Sequence, residues 1–144
     1  MLNQVQEVLV LSQNTIVLFG IKSILEALPI QNRISCARDI VEFQERQNVN
    51  NYDLMILDYN PFQKEEWKWV KNVAKLNRAK IVIFNEFANL PQIKELYKMG
   101  INGYINMAAD TSEITVALSM ILQGGRYLSH FDFVHPKRLM TYNI

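Results

Sequence analysis

Short runs of apolar, often β-branched residues alternate along this chain with segments whose apolar positions recur every three to four residues. Glu7-Val-Leu-Val-Leu-Ser12 predicts a buried strand. From Thr15 to Leu28, apolar residues at Val17, Leu18, Ile21, Ile24, Leu25 and Leu28 form a helical stripe that Pro29 ends. Arg33 to Cys36 predicts a weaker strand, and Asp39 to Gln47 a second helix. Tyr52 to Asp58 predicts a third strand. Gln63 to Leu76 predicts a charged helix with Trp67, Val70, Val73 and Ala74 on one face. Lys80 to Phe84 reads as a fourth strand. Leu90 to Met99 reads as a short helix closed by Gly100, a residue suited to helix ends. Ile101 to Asn106 predicts a fifth strand around Gly103. Asp110 or Thr111 caps a last helix that reaches Gln123 and stops at Gly124-Gly125.

Five βα units imply a five-stranded parallel sheet with helices on both faces, a doubly wound flavodoxin-like α/β fold. Ligands of such sheets gather at the carboxyl ends of the strands. That points to Ser12 to Asn14, Asp58 to Pro61, Asn85 to Phe87 and Asn106 to Ala108.

Composition changes this picture little. A length of 144 residues suits one domain, with residues 131–144 expected as a tail and not a separate domain. The formal net charge of +1 gives no general attraction to nucleic acid or membrane. The lone cysteine, Cys36, and the absence of a leader-like start predict a reducing cytoplasmic setting. No apolar run approaches the roughly 18–20 residues that span a bilayer. His130 and His135 have no partner cysteine, so no metal site is expected there. Trp67 and Trp69 lie about 200° apart on a helix, so Trp67 is expected in the core and Trp69 elsewhere. The Lys/Glu cluster from Lys64 to Lys71 predicts a solvated helix face.

Three segments carry a family resemblance. Tyr52-Asp-Leu-Met-Ile-Leu-Asp58-Tyr-Asn-Pro61 is similar to a third strand ending on a phosphoacceptor aspartate. Lys98-Met-Gly-Ile-Asn-Gly-Tyr104-Ile105 and Gly124-Gly-Arg-Tyr-Leu-Ser129 are similar to later segments of the same family. Together they resemble the receiver domain of response regulators, of the NarL/FixJ type, over roughly residues 5 to 130, within an expected domain of residues 1–130.

The resemblance implies that an aspartate attacks a phosphoryl donor, helped by Mg²⁺ on carboxylate ligands. It also implies two acidic residues after the first strand, a Ser or Thr after the fourth and a Lys after the fifth. Here these positions hold Ser12 and Gln13, Asn85, and Met107. No register restores them. No Asp or Glu occurs from Val8 to Leu25, no Ser or Thr between Lys80 and Asp110, and no Lys between Met99 and Pro136. Asp58 remains in the phosphoacceptor position and, lacking acidic neighbours, is expected to ionise readily. Tyr104 takes the position of the family's switch aromatic, read here as a fixed aromatic on a contact surface.

The expected function is an atypical receiver that regulates signalling or transcription through protein contacts, without phosphorylation, catalysis, cofactor or metal. The alternatives are a working phosphoacceptor at Asp58, or the receiver half of a DNA-binding transcriptional regulator. The contact surface is expected at Ile16 and Phe19 in the first helix and Val116 and Met120 in the last. These point away from the core stripes at 100° per residue, and imply a homodimer or a protein partner.

Overall fold

The computed structural model describes residues 5–46, 51–58, 68, 71–72, 74–76, 78–85 and 89–129. In chain order the elements are β1 (Gln6–Leu11), α1 (Thr15–Ala27), β2 (Asn32–Ala37), α2 (Ile40–Arg46), β3 (Leu54–Leu57), β4 (Lys80–Asn85), α3 (Leu90–Lys98), β5 (Gly103–Asn106), α4 (Thr111–Leu122) and β6 (Tyr127–Leu128). Residues 68, 71–72 and 74–76 are helical; the rest of the helix expected from Gln63 lies outside the described residues. So do Trp67, Trp69, His130, His135 and the tail.

The strands form one sheet in the order β2-β1-β3-β4-β5-β6, with every neighbouring pair parallel. Parallel strands need a crossover between them, and side chains alternate between the two faces of each strand. Leu9, Leu11, Met55, Leu57, Ile83 and Tyr104 pack on one face, together with Phe43, Ile93 and Leu96. Val8, Val10, Leu54, Ile56, Val82 and Ile105 pack on the other, against Ile21 and Leu25 of α1 and Ala117, Leu118 and Ile121 of α4. β1, β3, β4 and β5 are buried on both sides, which is why they read as continuous apolar runs.

The sheet has a sixth strand beyond the five expected. Tyr127 N–H donates to the Asn102 carbonyl at 3.1 Å and Ser129 N–H to that of Tyr104 at 2.9 Å, so the chain after α4 pairs with the outer edge of β5. Two residues are too short to carry an alternation that a sequence pattern can register. Their side chains still split correctly, Tyr127 to the α1–α4 face and Leu128 to the other.

Local signals fix the ends of the helices. The Asn14 side chain accepts from the Ile16 and Val17 amides at the start of α1, Asp110 accepts from Glu113 at the start of α4, and Asn89 and Gln92 form a capping box on α3.

Gly103 lets α4 approach β5 closely. A Cβ there would collide with the Ile121 side chain, itself fully buried, and would touch the Tyr127 carbonyl. Gly103→Ala is therefore expected to destabilise the fold by about 1–3 kcal/mol through overpacking. Gly20, in the interior of α1 with open space around its Cα, is expected to gain about 0.5–1 kcal/mol on replacement by Ala. Urea denaturation of the two variants beside the wild type measures both.

Candidate functional site

The carboxyl ends of β1, β3 and β4 bring Ser12, Asp58 and Asn85 to one rim of the sheet. The register Leu11↔Leu57 places Ser12 beside Asp58, one residue beyond each strand. Strand parity carries both onto the α1–α4 face, following Val10 and Ile56.

Ser12 is fully buried, and its hydroxyl donates to Asp58 Oδ2 at 2.6 Å. The Asn14 amide donates to Ser12 Oγ at 3.0 Å, so the turn into α1 fixes the orientation of the hydroxyl. The backbone amide of Asp58 donates to the Leu11 carbonyl at 2.8 Å, which continues the β1–β3 ladder to the rim. Gln13, the second position of the absent acidic pair, is exposed.

A second pair forms on the other face. Asn85 is 2% exposed and follows Ile81 and Ile83 in parity. The Tyr104 hydroxyl donates toward the Asn85 carbonyl oxygen and its side-chain Oδ1, each at 3.0 Å. Asn85 O also accepts from the Met107 amide at 3.0 Å. Met107 itself is partly buried and packs against the α1–α4 apolar cluster.

Three sequence readings need correction. The lack of acidic neighbours implies easy ionisation of Asp58. Instead, burial of the half-buried carboxyl raises its pKa above the ordinary value, and the Ser12 hydrogen bond offsets this only in part. Desolvation acts without any neighbouring charge, so inspection of neighbours missed it. Tyr104 is fixed, but it is fully buried and lies on no contact surface. Its position in the middle of a four-residue strand, covered by α3 and β6, decides this. Met120 is partly buried against the core and does not join the outward face of α4, because its side chain lies beside the chain that turns back at Gly124-Gly125 toward β6.

Ile16, Phe19 and Val116 are 80%, 67% and 46% exposed. The two helices that carry them pack against each other, so the three side chains belong to neighbouring surfaces.

The receiver-like position implies a divalent cation, and the donors present do not fit one. A hard cation takes several oxygen ligands, carboxylates above all. Here Asp58 is the one carboxylate at the rim among the described residues, and the neighbouring oxygen is a neutral hydroxyl already committed to it. No group of three or more His, Cys, Asp or Glu that could hold a metal occurs among the described residues.

No protein-family model matches the chain, and no curated protein matches it. Solved structures do. A LuxR family DNA-binding response regulator from Silicibacter pomeroyi superposes with TM-score 0.69 at 20% identity, covering 85% of this chain and 95% of that one. The isolated REC domain of RcsB from Salmonella enterica serovar Typhimurium, with the phosphomimetic BeF3−, gives 0.74 at 18% identity, covering 87% and 94%. RcsB in a structure of two dimers bound to two parallel DNAs gives 0.72 at 16% identity, covering 87% of this chain and 64% of that one.

The chain therefore has the flavodoxin-like receiver fold of response regulators. Its structural neighbours are LuxR-family and RcsB receivers, in agreement with the NarL/FixJ-type resemblance of the segments around Gly103 and Gly125. Among the described residues no helix is long and apolar enough to cross a membrane.

The raised Asp58 pKa has a sign that can be tested. The folded state holds the proton more tightly than the unfolded chain, so ionised Asp58 is a burden on stability above its folded pKa. Wild-type stability should fall relative to Asp58→Asn as pH rises through the range just above 3.8, and the two should converge in stronger acid. Ser12→Ala removes the bond that favours the carboxylate and should raise the Asp58 pKa further. Carbon-detected NMR titration of the carboxyl reads the pKa directly, and thermal melts across pH read the linkage.

Proposed function

We propose that this chain is an atypical receiver module that acts through protein contact and does not use phosphorylation of Asp58. The observation that carries this reading is the Ser12 hydroxyl held on Asp58 where a working receiver places an acidic residue. Phosphoryl transfer needs charge neutralisation on the moving group. A hydroxyl, the amide of Asn85 and the thioether of Met107 supply no positive charge, and Ser12 already occupies one Asp58 oxygen. The reading includes no catalysis, no cofactor and a cytoplasmic setting.

The contact surface we assign is the apolar patch of Ile16 and Phe19 on α1 with Val116 on α4, and its occupant a second copy of the chain. Large exposed apolar side chains grouped on neighbouring helices mark interfaces more often than lone exposed residues do. A two-fold contact brings such a patch onto its own copy. RcsB, one of the fold neighbours, has been observed as dimers on DNA. That neighbour and the DNA-binding regulator from Silicibacter pomeroyi also favour a second reading, in which this receiver serves a DNA-binding regulator. The length of the native reading frame distinguishes the two.

Incubation with acetyl phosphate and millimolar Mg²⁺ should leave the intact mass unchanged. A labile adduct of one phosphoryl group that disappears in Asp58→Asn would overturn phosphorylation independence.

Light scattering should find a dimer for the wild type and a monomer for Phe19→Asp and Val116→Asp, each with an unchanged circular dichroism spectrum. A dimer that survives both substitutions, or a wild type that stays monomeric at high concentration, rejects this surface.

A further inference from the structure

A cleft of about 320 Å³ opens at the opposite end of the sheet from Asp58. It lies at the amino-terminal ends of β4 and β5, where the helical residues 71–72 and 74–76 and the end of α3 lead toward those strands. Ala74, Ile81 and Met99 give it an apolar base, while Lys71, Lys75 and Arg78 stand around it, with no acidic side chain among the described lining residues. Among the described residues, no side-chain hydrogen bond or ion pair engages these three cations. Asp53, the carboxylate at the start of β3, accepts from the Glu7 amide at 2.8 Å. Asn102 also borders the cleft; its Oδ1 accepts from the Ile81 amide at 2.9 Å, which leaves its side-chain nitrogen as a donor.

Two helices end at this cleft with the same backbone motif. At the first, the Arg78 amide donates to the Lys75 carbonyl at 3.3 Å and the Ala79 amide to that of Ala74 at 2.8 Å. At the second, the Gly100 amide donates to the Tyr97 carbonyl at 3.1 Å and the Ile101 amide to that of Leu96 at 3.3 Å. The motif requires one residue with left-handed backbone. In the second helix end it is Gly100, at φ +92°; in the first it is Arg78, at φ +56°. Glycine takes this conformation freely, whereas a residue with a Cβ is strained in it.

Cations in the last turn of a helix complement its dipole, and Lys75 and Arg78 have that effect whether or not anything binds. The dipole explains positive charge near the helix end. It does not explain an arginine at the position that favours glycine, nor three cations that have no ion pair among the described residues around an apolar base.

We propose that this cleft binds a small organic phosphate, a molecule of mononucleotide size. Its phosphate lies among Lys71, Lys75 and Arg78, its ring lies against Ala74, Ile81 and Met99, and the Asn102 side chain donates to a polar edge of the ring. The volume falls at the lower end of the roughly 300–1,000 Å³ that small-molecule sites occupy. A net charge of +1 over the chain and three cations lining the cleft suit a single phosphate group, not an extended polyanion. The bound molecule would join the ends of two successive helices, at a place that neither Asp58 nor the α1–α4 patch touches, so this site stands or falls apart from the function proposed above.

NMR titration of the ¹⁵N-labelled full chain with AMP, inorganic phosphate and adenosine at constant ionic strength tests the proposal. AMP should give saturable shifts at the amides of Arg78, Ala79, Gly100 and Asn102. Inorganic phosphate should bind roughly tenfold more weakly, and adenosine should not saturate, since charge-assisted bonds supply most of the affinity. Lys75→Gln and Arg78→Gly should each weaken AMP binding about tenfold or more. Arg78→Gly should also melt no lower than the wild type, because glycine relieves the strained backbone; a merely structural arginine would not separate binding from stability in this way. Absence of saturable shifts with millimolar AMP, phosphate binding as tight as AMP, or undiminished AMP binding by Arg78→Gly would overturn the assignment.

Discussion

A parallel sheet has to be covered on both faces, and most of this molecule follows from that requirement. Strict alternation along β1, β3, β4 and β5 sends Leu9, Met55 and Ile83 to one apolar layer and Val10, Ile56 and Val82 to the other. The central positions of these strands are consumed by packing. Polar side chains find room where the strands end, and there Ser12, Asp58 and Asn85 sit. Because these positions are still partly or wholly buried, each polar group needs a partner or carries a desolvation penalty. Ser12 satisfies Asp58, and Tyr104 satisfies Asn85.

The same requirement explains what the amino-acid sequence reveals. Strands buried on both faces are unbroken apolar runs, and helices laid over them carry a stripe, so the order of elements is legible. Asp110 and terminators such as Gly100 mark helix ends in the sequence, whereas the caps Asn14 and Asn89 become visible only in the structure. β6 was hidden because its existence depends on the free edge of β5, a tertiary fact, and its two residues carry no period. That Ser12, Gln13, Asn85 and Met107 stand where the resemblance implies other residue types is visible by residue type alone. How the replacements interact is not. Nothing in one dimension says that Ser12 bonds to Asp58, that burial raises the Asp58 pKa, or that Tyr104 points inward to Asn85. The outward set on α1 is legible from the helical angle. Met120 is not, since the returning chain after Gly124 covers what the angle leaves exposed. The basic cleft joins Lys71, Lys75 and Arg78 to Met99 and Asn102, residues that become neighbours only through the crossover from β4 to β5.

The rim of the sheet and the surface of α1 and α4 then divide the work. In a receiver that responds to phosphorylation, charge must accumulate at the rim and change what the helices present. In this chain the rim is closed by two hydrogen-bonded pairs, one on each face of the sheet. The apolar surface of Ile16, Phe19 and Val116 is exposed in that same arrangement. A rim closed by hydrogen bonds and an apolar surface exposed in the same arrangement are in keeping with the proposed phosphorylation-independent contact.

The Ser12–Asp58 pair is proposed to stand where a working receiver would hold a cation. The most direct measurement is a Mg²⁺ titration that follows the Asp58 carboxyl carbon and backbone amide by NMR, at neutral pH and constant ionic strength. The account predicts no saturable shift at either nucleus up to tens of millimolar Mg²⁺, since one carboxylate and a committed hydroxyl hold a dication weakly. A saturating shift at low-millimolar Mg²⁺ that is lost in Asp58→Asn would contradict it.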